Sequence, residues 1–109
     1  MIIDFNNIEQ TVLKEFYGGE KELKANMYND GLNKIMYSSL APGASIGLHT
    51  HDAGSEIIYF LEGSGKAIFD GEYEEVKAGA CHYCPKGHSH GLINDGESDL
   101  VFFAVVPVQ

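Results

Sequence analysis

At 109 residues the chain has room for one domain with a real core and not for two. The formal net charge is −9 and the seven basic residues are scattered lysines, which excludes nucleic acid and an anionic membrane surface, because phosphate recognition needs clustered Lys and Arg. Thirteen glycines point to a fold with many tight turns.

The N-terminus, Met1-Ile-Ile-Asp-Phe-Asn-Asn, has no basic region followed by an apolar one, so it does not read as a secretory signal. No apolar run approaches the ~20 residues that cross a bilayer, and a cytoplasmic protein is expected. Residues 1–30 read as an arm that packs on the rest of the domain or on a partner subunit. Ile8, Val12, Leu13, Phe16 and Tyr17 suit a short amphipathic helix stopped by Gly18-Gly19, or equally an extended arm with a Gly-Gly turn.

From residue 31 to 109 the chain reads as short strands punctuated by turns. Lys34 to Ala41 ends at Pro42-Gly43, and Ile46 to Thr50 and Glu56 to Leu61 follow. Lys66 to Phe69 and Glu72 to Lys77 flank the hairpin turn Asp70-Gly71. Gly79 to Cys84, His90 to Ile93 and Leu100 to Val106 complete an all-β sandwich or barrel. Cys81 and Cys84 form a C-x-x-C in a strand-like run stopped by Pro85. Strand residues i and i+3 face opposite sides, so packing is favoured over a redox pair or a zinc half-site. Both faces of Glu56 to Leu61 are apolar, as are both faces of Leu100 to Val106. The outer face therefore needs cover, from a second copy in a homodimer or from residues 1–30.

His49 and His51 project from one face of an extended segment, since side chains alternate with period two. Glu56 follows five residues after His51, and His90 stands in a later loop-rich stretch. Three imidazoles and a carboxylate that converge make a metal site, with donors suited to divalent Fe, Mn, Ni, Co or Zn. Without a cation, an ionised Glu buried among imidazoles would be costly.

Two registers of residues frame these ligands. Gly43, His49, His51, Glu56 and Gly63 form one, and Gly79, Pro85, Gly87, His90 and Asn94 form the other. In that spacing the chain resembles the cupins, whose two motifs it reproduces without a departure between Gly43 and Asn94. The resemblance implies a double-stranded β-helix, or jelly-roll barrel, carrying a short N-terminal arm or helix. It implies one divalent transition metal near the mouth, held by His49, His51, Glu56 and His90, with Asn94 structural.

Candidates for a substrate pocket are Tyr37, Ser39, Ile46, Ile58, Phe60, His88 and Leu92, with Leu48 a further apolar neighbour. Plainer readings stand beside several: core packing for Tyr37, a polar face for Ser39, a solvated loop histidine for His88. His82 can face either way, and Glu72, Glu74 and Glu75 read as the wet side of a hairpin. The basic residues nearest the motifs are Lys66 and Lys86. Four protein ligands leave two positions of an octahedron open. That favours a metal-dependent enzyme acting on a small oxygen-rich molecule, an organic acid or sugar derivative, by decarboxylation, oxygenation or isomerisation. The alternative is a metal-dependent small-molecule binding or sensing module without turnover, and no catalytic acid or base is named. Cupins share a fold across many activities, so the fold alone does not choose.

Overall fold

A computed structural model of residues 1–109 contains ten strands, all paired antiparallel, in two sheets. They are β1 (Thr11–Lys14), β2 (Glu22–Asn29), β3 (Asn33–Leu40), β4 (Ser45–Thr50), β5 (Glu56–Glu62), β6 (Ser64–Phe69), β7 (Glu72–Lys77), β8 (Cys81–Cys84), β9 (Ser89–Ile93) and β10 (Leu100–Pro107). The larger sheet has the order β1-β2-β3-β10-β5-β8 and the smaller β4-β9-β6-β7. Packed face to face they make a jelly roll. No helix is long and apolar enough to cross a membrane.

The N-terminal segment forms strands where a helix was one of the two expectations. β1 pairs with β2 from Thr11↔Ala25 to Lys14↔Glu22, and β2 pairs with β3 from Leu23↔Leu40 to Asn29↔Lys34. The helical spacing of Ile8, Val12 and Phe16 is outcompeted by a main-chain ladder, and β2 carries its own period-two pattern in Leu23, Ala25 and Met27. Only single turns of 3-10 helix remain, at Phe5–Asn7 and Phe16–Gly18.

Alternation along each strand assembles the interior. Leu23, Met36, Leu40, Ile58, Phe60, Leu100 and Phe102 of the larger sheet meet Ile46, Ala67, Val76 and Leu92 of the smaller. Burying one large side chain of this kind is worth roughly 1.5–3 kcal/mol, so this inner layer dominates stability. Asn94 is fully buried and bonds to main chain throughout. Its Nδ2 donates to Leu40 O (2.8 Å) and Ser98 O (2.9 Å), and its Oδ1 accepts from Gly96 N. Asn94 is thus a structural clip between loops.

The outer face of the larger sheet is only partly covered. Phe5 packs on Tyr37 and Phe103, with ring centroids 6.1 and 6.2 Å apart. Asn26 anchors this arm by donating from Nδ2 to Ile8 O at 2.7 Å. Ile57, Tyr59, Leu61 and Tyr83 on the neighbouring strands stay exposed.

Candidate metal centre

The four expected ligands meet at one end of the sandwich, and an irregularity in β4 makes this possible. Ile46 pairs with Leu92 and His49 with His90, and the register shifts between them. Strict alternation would put His49 on the face opposite Ile46. The bulge at Gly47 and Leu48 reverses the parity, so both Ile46 and His49 point inward and Leu48 turns out, 60% exposed. Leu48 therefore leaves the expected apolar wall. His51 follows β4 and is held by its main chain, its N–H donating to His88 O and its carbonyl accepting from Gly87 N. His90 comes from β9, and Glu56, at the start of β5, reaches in from the larger sheet.

The donor atoms are tightly grouped. His90 Nε2 lies 2.9 Å from His51 Nε2, 3.1 Å from His49 Nε2 and 2.9 Å from Glu56 Oε1. Glu56 Oε1 is 3.1 Å from His51 Nε2 and 4.0 Å from His49 Nε2. Burial alone would raise the Glu56 carboxyl, but the imidazoles of His49, His51 and His90 set around it outweigh burial and hold it well below the usual carboxylate range. His49 Nδ1 donates to Gly47 O at 2.8 Å, which leaves its Nε2 with a bare lone pair facing the other donors. Adjacent ligands around a six-coordinate ion at ~2.1 Å lie about 3.0 Å apart, so the donor spacing fits a single ion. The group His49, His51, Glu56 and His90 can hold a metal ion.

A cavity of about 130 Å³ opens onto these donors. Phe16, Tyr17, Leu23, Met27, Met36, Ile46, Phe102 and Val106 line it with His49, His51, Glu56 and one cation, Lys34. Tyr17 roofs it, its ring stacked on His49 at 4.0 Å between centroids and 11° between planes. Tyr17 holds a left-handed conformation (φ 53°, ψ 34°), and Glu15 and Lys21 nearby also have positive φ. Each such residue stores about 1–3 kcal/mol of strain, which clusters where a segment is shaped for a site. Two glycines let the segment lie flat on β4. A Cβ on Gly47 would sit 1.9 Å from Tyr17 O, and one on Gly19 would sit 2.2 Å from Ser45 O.

The other expected pocket residues divide. Ile46 lines the cavity, whereas Ile58, Phe60 and Leu92 face inward as packed core behind it. Tyr37 and Ser39 are corrected: on β3 the inward face is Lys34, Met36, Ser38 and Leu40, so both point outward. Ser39 borders an open, charged cleft with Lys14, Lys24 and Asp99. His88 is also corrected, because its Nδ1 donates to Asp70 and its ring stacks on Phe69 outside the cavity. Cys81 is exposed and Cys84 buried, on opposite faces, and burial pushes the Cys84 thiol up to about 11. The two thiols therefore diverge, and of the pair Cys84 is the one that packs.

Sequence reasoning missed three residues. Lys34 enters the cavity, while Lys66 pairs with Asp95 and Lys86 donates to Gln109 O on the surface. His82 is buried, with Nε2 3.0 Å from His90 Nδ1 and Nδ1 3.0 Å from Glu74 Oε1. Glu74 stays on the wet side of its hairpin, as expected, with its side chain half-exposed, yet its Oε1 reaches His82. Burial, and then the neighbouring His90, keep His82 below the ordinary histidine range.

The family model for the cupin domain matches residues 36–106. The chain belongs to the cupins. It is 32% identical over 113 residues to an oxalate-binding protein of Thermotoga maritima, covering 97% of this chain and 93% of that protein. The crystal structure of a predicted oxalate decarboxylase from Thermotoga maritima superposes with a TM-score of 0.93 at 29% identity, with full coverage of both chains. The polyketide cyclase RemF of Streptomyces resistomycificus, 21% identical over all of this chain and 80% of its own, has a TM-score of 0.79 and shares the fold alone.

Proposed function

We propose that this cupin binds one divalent transition metal (Fe, Mn, Ni or Zn) through His49, His51, Glu56 and His90, and with it a small carboxylic acid of the oxalate class. The carrying observation is the cavity: His49, His51 and Glu56 of the four-donor group line a chamber of about 130 Å³ whose single cation is Lys34. Pockets for drug-sized ligands run to roughly 300–1,000 Å³, so this one suits a smaller ligand. That volume favours a two- or three-carbon acid over a sugar derivative. Three imidazoles and one carboxylate suit borderline divalent ions. The bound metal would act as a Lewis acid on a ligand oxygen.

The chain's own residues supply the rest. Lys66, Lys21 and Lys86 are each held by a carboxylate or a carbonyl, whereas the Lys34 ammonium makes no such contact and is available to a second carboxylate oxygen. Tyr17, with Phe16, covers the ligand and limits water, which strengthens both interactions. The Thermotoga maritima oxalate-binding relative supports the same ligand class. Calorimetric titration of oxalate into Mn²⁺-loaded and metal-stripped protein tests this reading. Saturable binding to the loaded form alone is expected, and no binding to either form contradicts it.

Turnover is the second reading, favoured by Tyr17 and Lys34, two proton-bearing groups on the cavity wall. Release of formate and CO₂ from oxalate by the loaded protein would establish decarboxylation, and binding without product leaves a binding module.

We propose further that the protein is a homodimer through the outer face of the larger sheet. Tyr37, Ile57, Tyr59, Leu61 and Tyr83 are each at least 40% exposed on a face whose one charged side chain across β3, β10, β5 and β8 is Glu62, at the end of β5. In a chain of net charge −9, an apolar face this poor in charge is where two copies can meet with little repulsion. Sedimentation equilibrium should give twice the chain mass, and Tyr59→Lys should give a monomer. A monomeric wild type would refute the dimer.

A further inference from the structure

His82 stands outside the four donors yet touches one of them. It lies on β8 of the larger sheet, opposite Ile58 of β5, and crosses the interior to meet His90 on β9 of the smaller. Its ring planes with His90 differ by 12°, as an in-plane N–H···N contact requires, and the Phe69 ring meets it edge-on at 6.0 Å. The residue is 4% exposed, in an interior where an apolar side chain would pack at no polar cost.

We propose that Glu74 and His82 are positioning residues for His90, fixing its tautomer so that Nε2 presents a lone pair to the metal. The inference rests on the metal reading of the four-donor group. Hydrogen-bond capacity fixes the direction of the chain. An ionised Glu74 carboxylate only accepts, so His82 Nδ1 donates to it. A neutral His82 then carries its lone pair on Nε2, which accepts the Nδ1–H of His90. His90 is left with its lone pair on Nε2, the atom within 3.1 Å of His49, His51 and Glu56 donors. In the other tautomer a proton would occupy the metal position. The acceptor chain also raises the basicity of the ligand nitrogen, as outer partners of metal-bound histidines do.

His49 achieves the same end more simply, with the Gly47 carbonyl as its Nδ1 acceptor. His90 sits on a strand whose neighbouring main chain is committed to the ladder, so the acceptor has to be a side chain from across the sandwich. The far end, Glu74, has a side chain 49% exposed, which makes it replaceable without opening the core.

The test is Co²⁺ affinity by chelator competition, together with the Co²⁺ absorption spectrum and the ¹⁵N shifts of His90 in metal-free protein. His82→Phe should weaken Co²⁺ binding by roughly 10–100-fold and alter the spectrum. His82→Gln, whose amide oxygen can accept from His90 Nδ1–H, should recover most of the affinity. Glu74→Ala, at the exposed end, should give a smaller loss and mix the His90 tautomers, and it decides the matter if His82→Phe does not fold. Unchanged affinity, spectrum and tautomer in these variants would overturn the positioning role. A wild type that shows the Nδ1–H tautomer of His90 but takes up no metal would instead defeat the metal reading while upholding the hydrogen-bond chain.

Discussion

The smaller sheet meets the site with imidazoles, His49 on β4, His51 just beyond it and His90 on β9, whereas the larger sheet meets it with Glu56, Lys34 and His82. The first group sits on two strands that pair directly, so short sequence spacings fix how the rings converge. Of the second group, Lys34 and His82 come from strands separated by β10 and β5 in the sheet order and act only because each strand turns that residue inward. One sheet carries the three imidazoles of the donor group, and the other brings Glu56 to them, Lys34 to the cavity wall and His82 to His90. Local spacing carries the former and strand parity the latter.

The difference can be broken first on the side of the smaller sheet. Gly47→Ala puts a methyl where Tyr17 O now lies, 1.9 Å from the new carbon, so either β4 or the Phe16–Gly18 turn must move. Overpacking of this kind costs roughly 1–3 kcal/mol, and loss of the roof should weaken ligand binding as well. A thermal melt with the same midpoint as wild type would show that the segment is not clamped as described.

A smaller effect is expected on the opposite side. Lys34→Met keeps the length and apolar stem of the side chain but removes the ammonium, so oxalate affinity of the metal-loaded protein should fall about tenfold, ~1.4 kcal/mol, with metal content unchanged. Equal loss of metal would mean that Lys34 supports the ion site and not the ligand.

The smallest effect lies at the β6–β7 turn, away from both halves. The His88 hydrogen bond, and then the Ser89 N–H, hold Asp70 below its ordinary pKa. A depressed carboxyl stabilises the fold above the unfolded-state pKa and loses that contribution as pH falls through the folded-state value. Asp70→Asn should therefore be slightly less stable than wild type at pH 7 in urea melts, with the gap closing below about pH 4. A gap independent of pH would contradict the Asp70–His88 pairing.

The sequence made the two motifs and the strands from residue 33 onward legible, because turn pairs such as Asp70-Gly71 and period-two patterns are local signals. β1 was hidden, since Thr11–Lys14 becomes a strand only when β2 offers it a ladder. Tyr37 and Ser39 face outward because β3 turns Met36, Ser38 and Leu40 inward, a parity that their own residue types do not signal. Anchoring it on the apolar pair Met36 and Leu40 would have turned Lys34 inward and found the cavity's cation. His82 shares β8 parity with buried Cys84, so the same step would have faced it inward, and Glu74 shares β7 parity with Val76 on the side from which its half-exposed carboxylate reaches His82. Their meeting with His90 depends on how the two sheets are stacked, which no local pattern encodes.

Elemental analysis of protein purified without a histidine tag, on wild type beside His49→Ala and Glu56→Ala, tests the central claim most directly. About one divalent metal per chain is expected in wild type, with most of it lost in each variant while the strand-rich circular dichroism spectrum is retained. A folded wild type that carries no metal and takes up none of Fe, Mn, Ni or Zn would contradict the account.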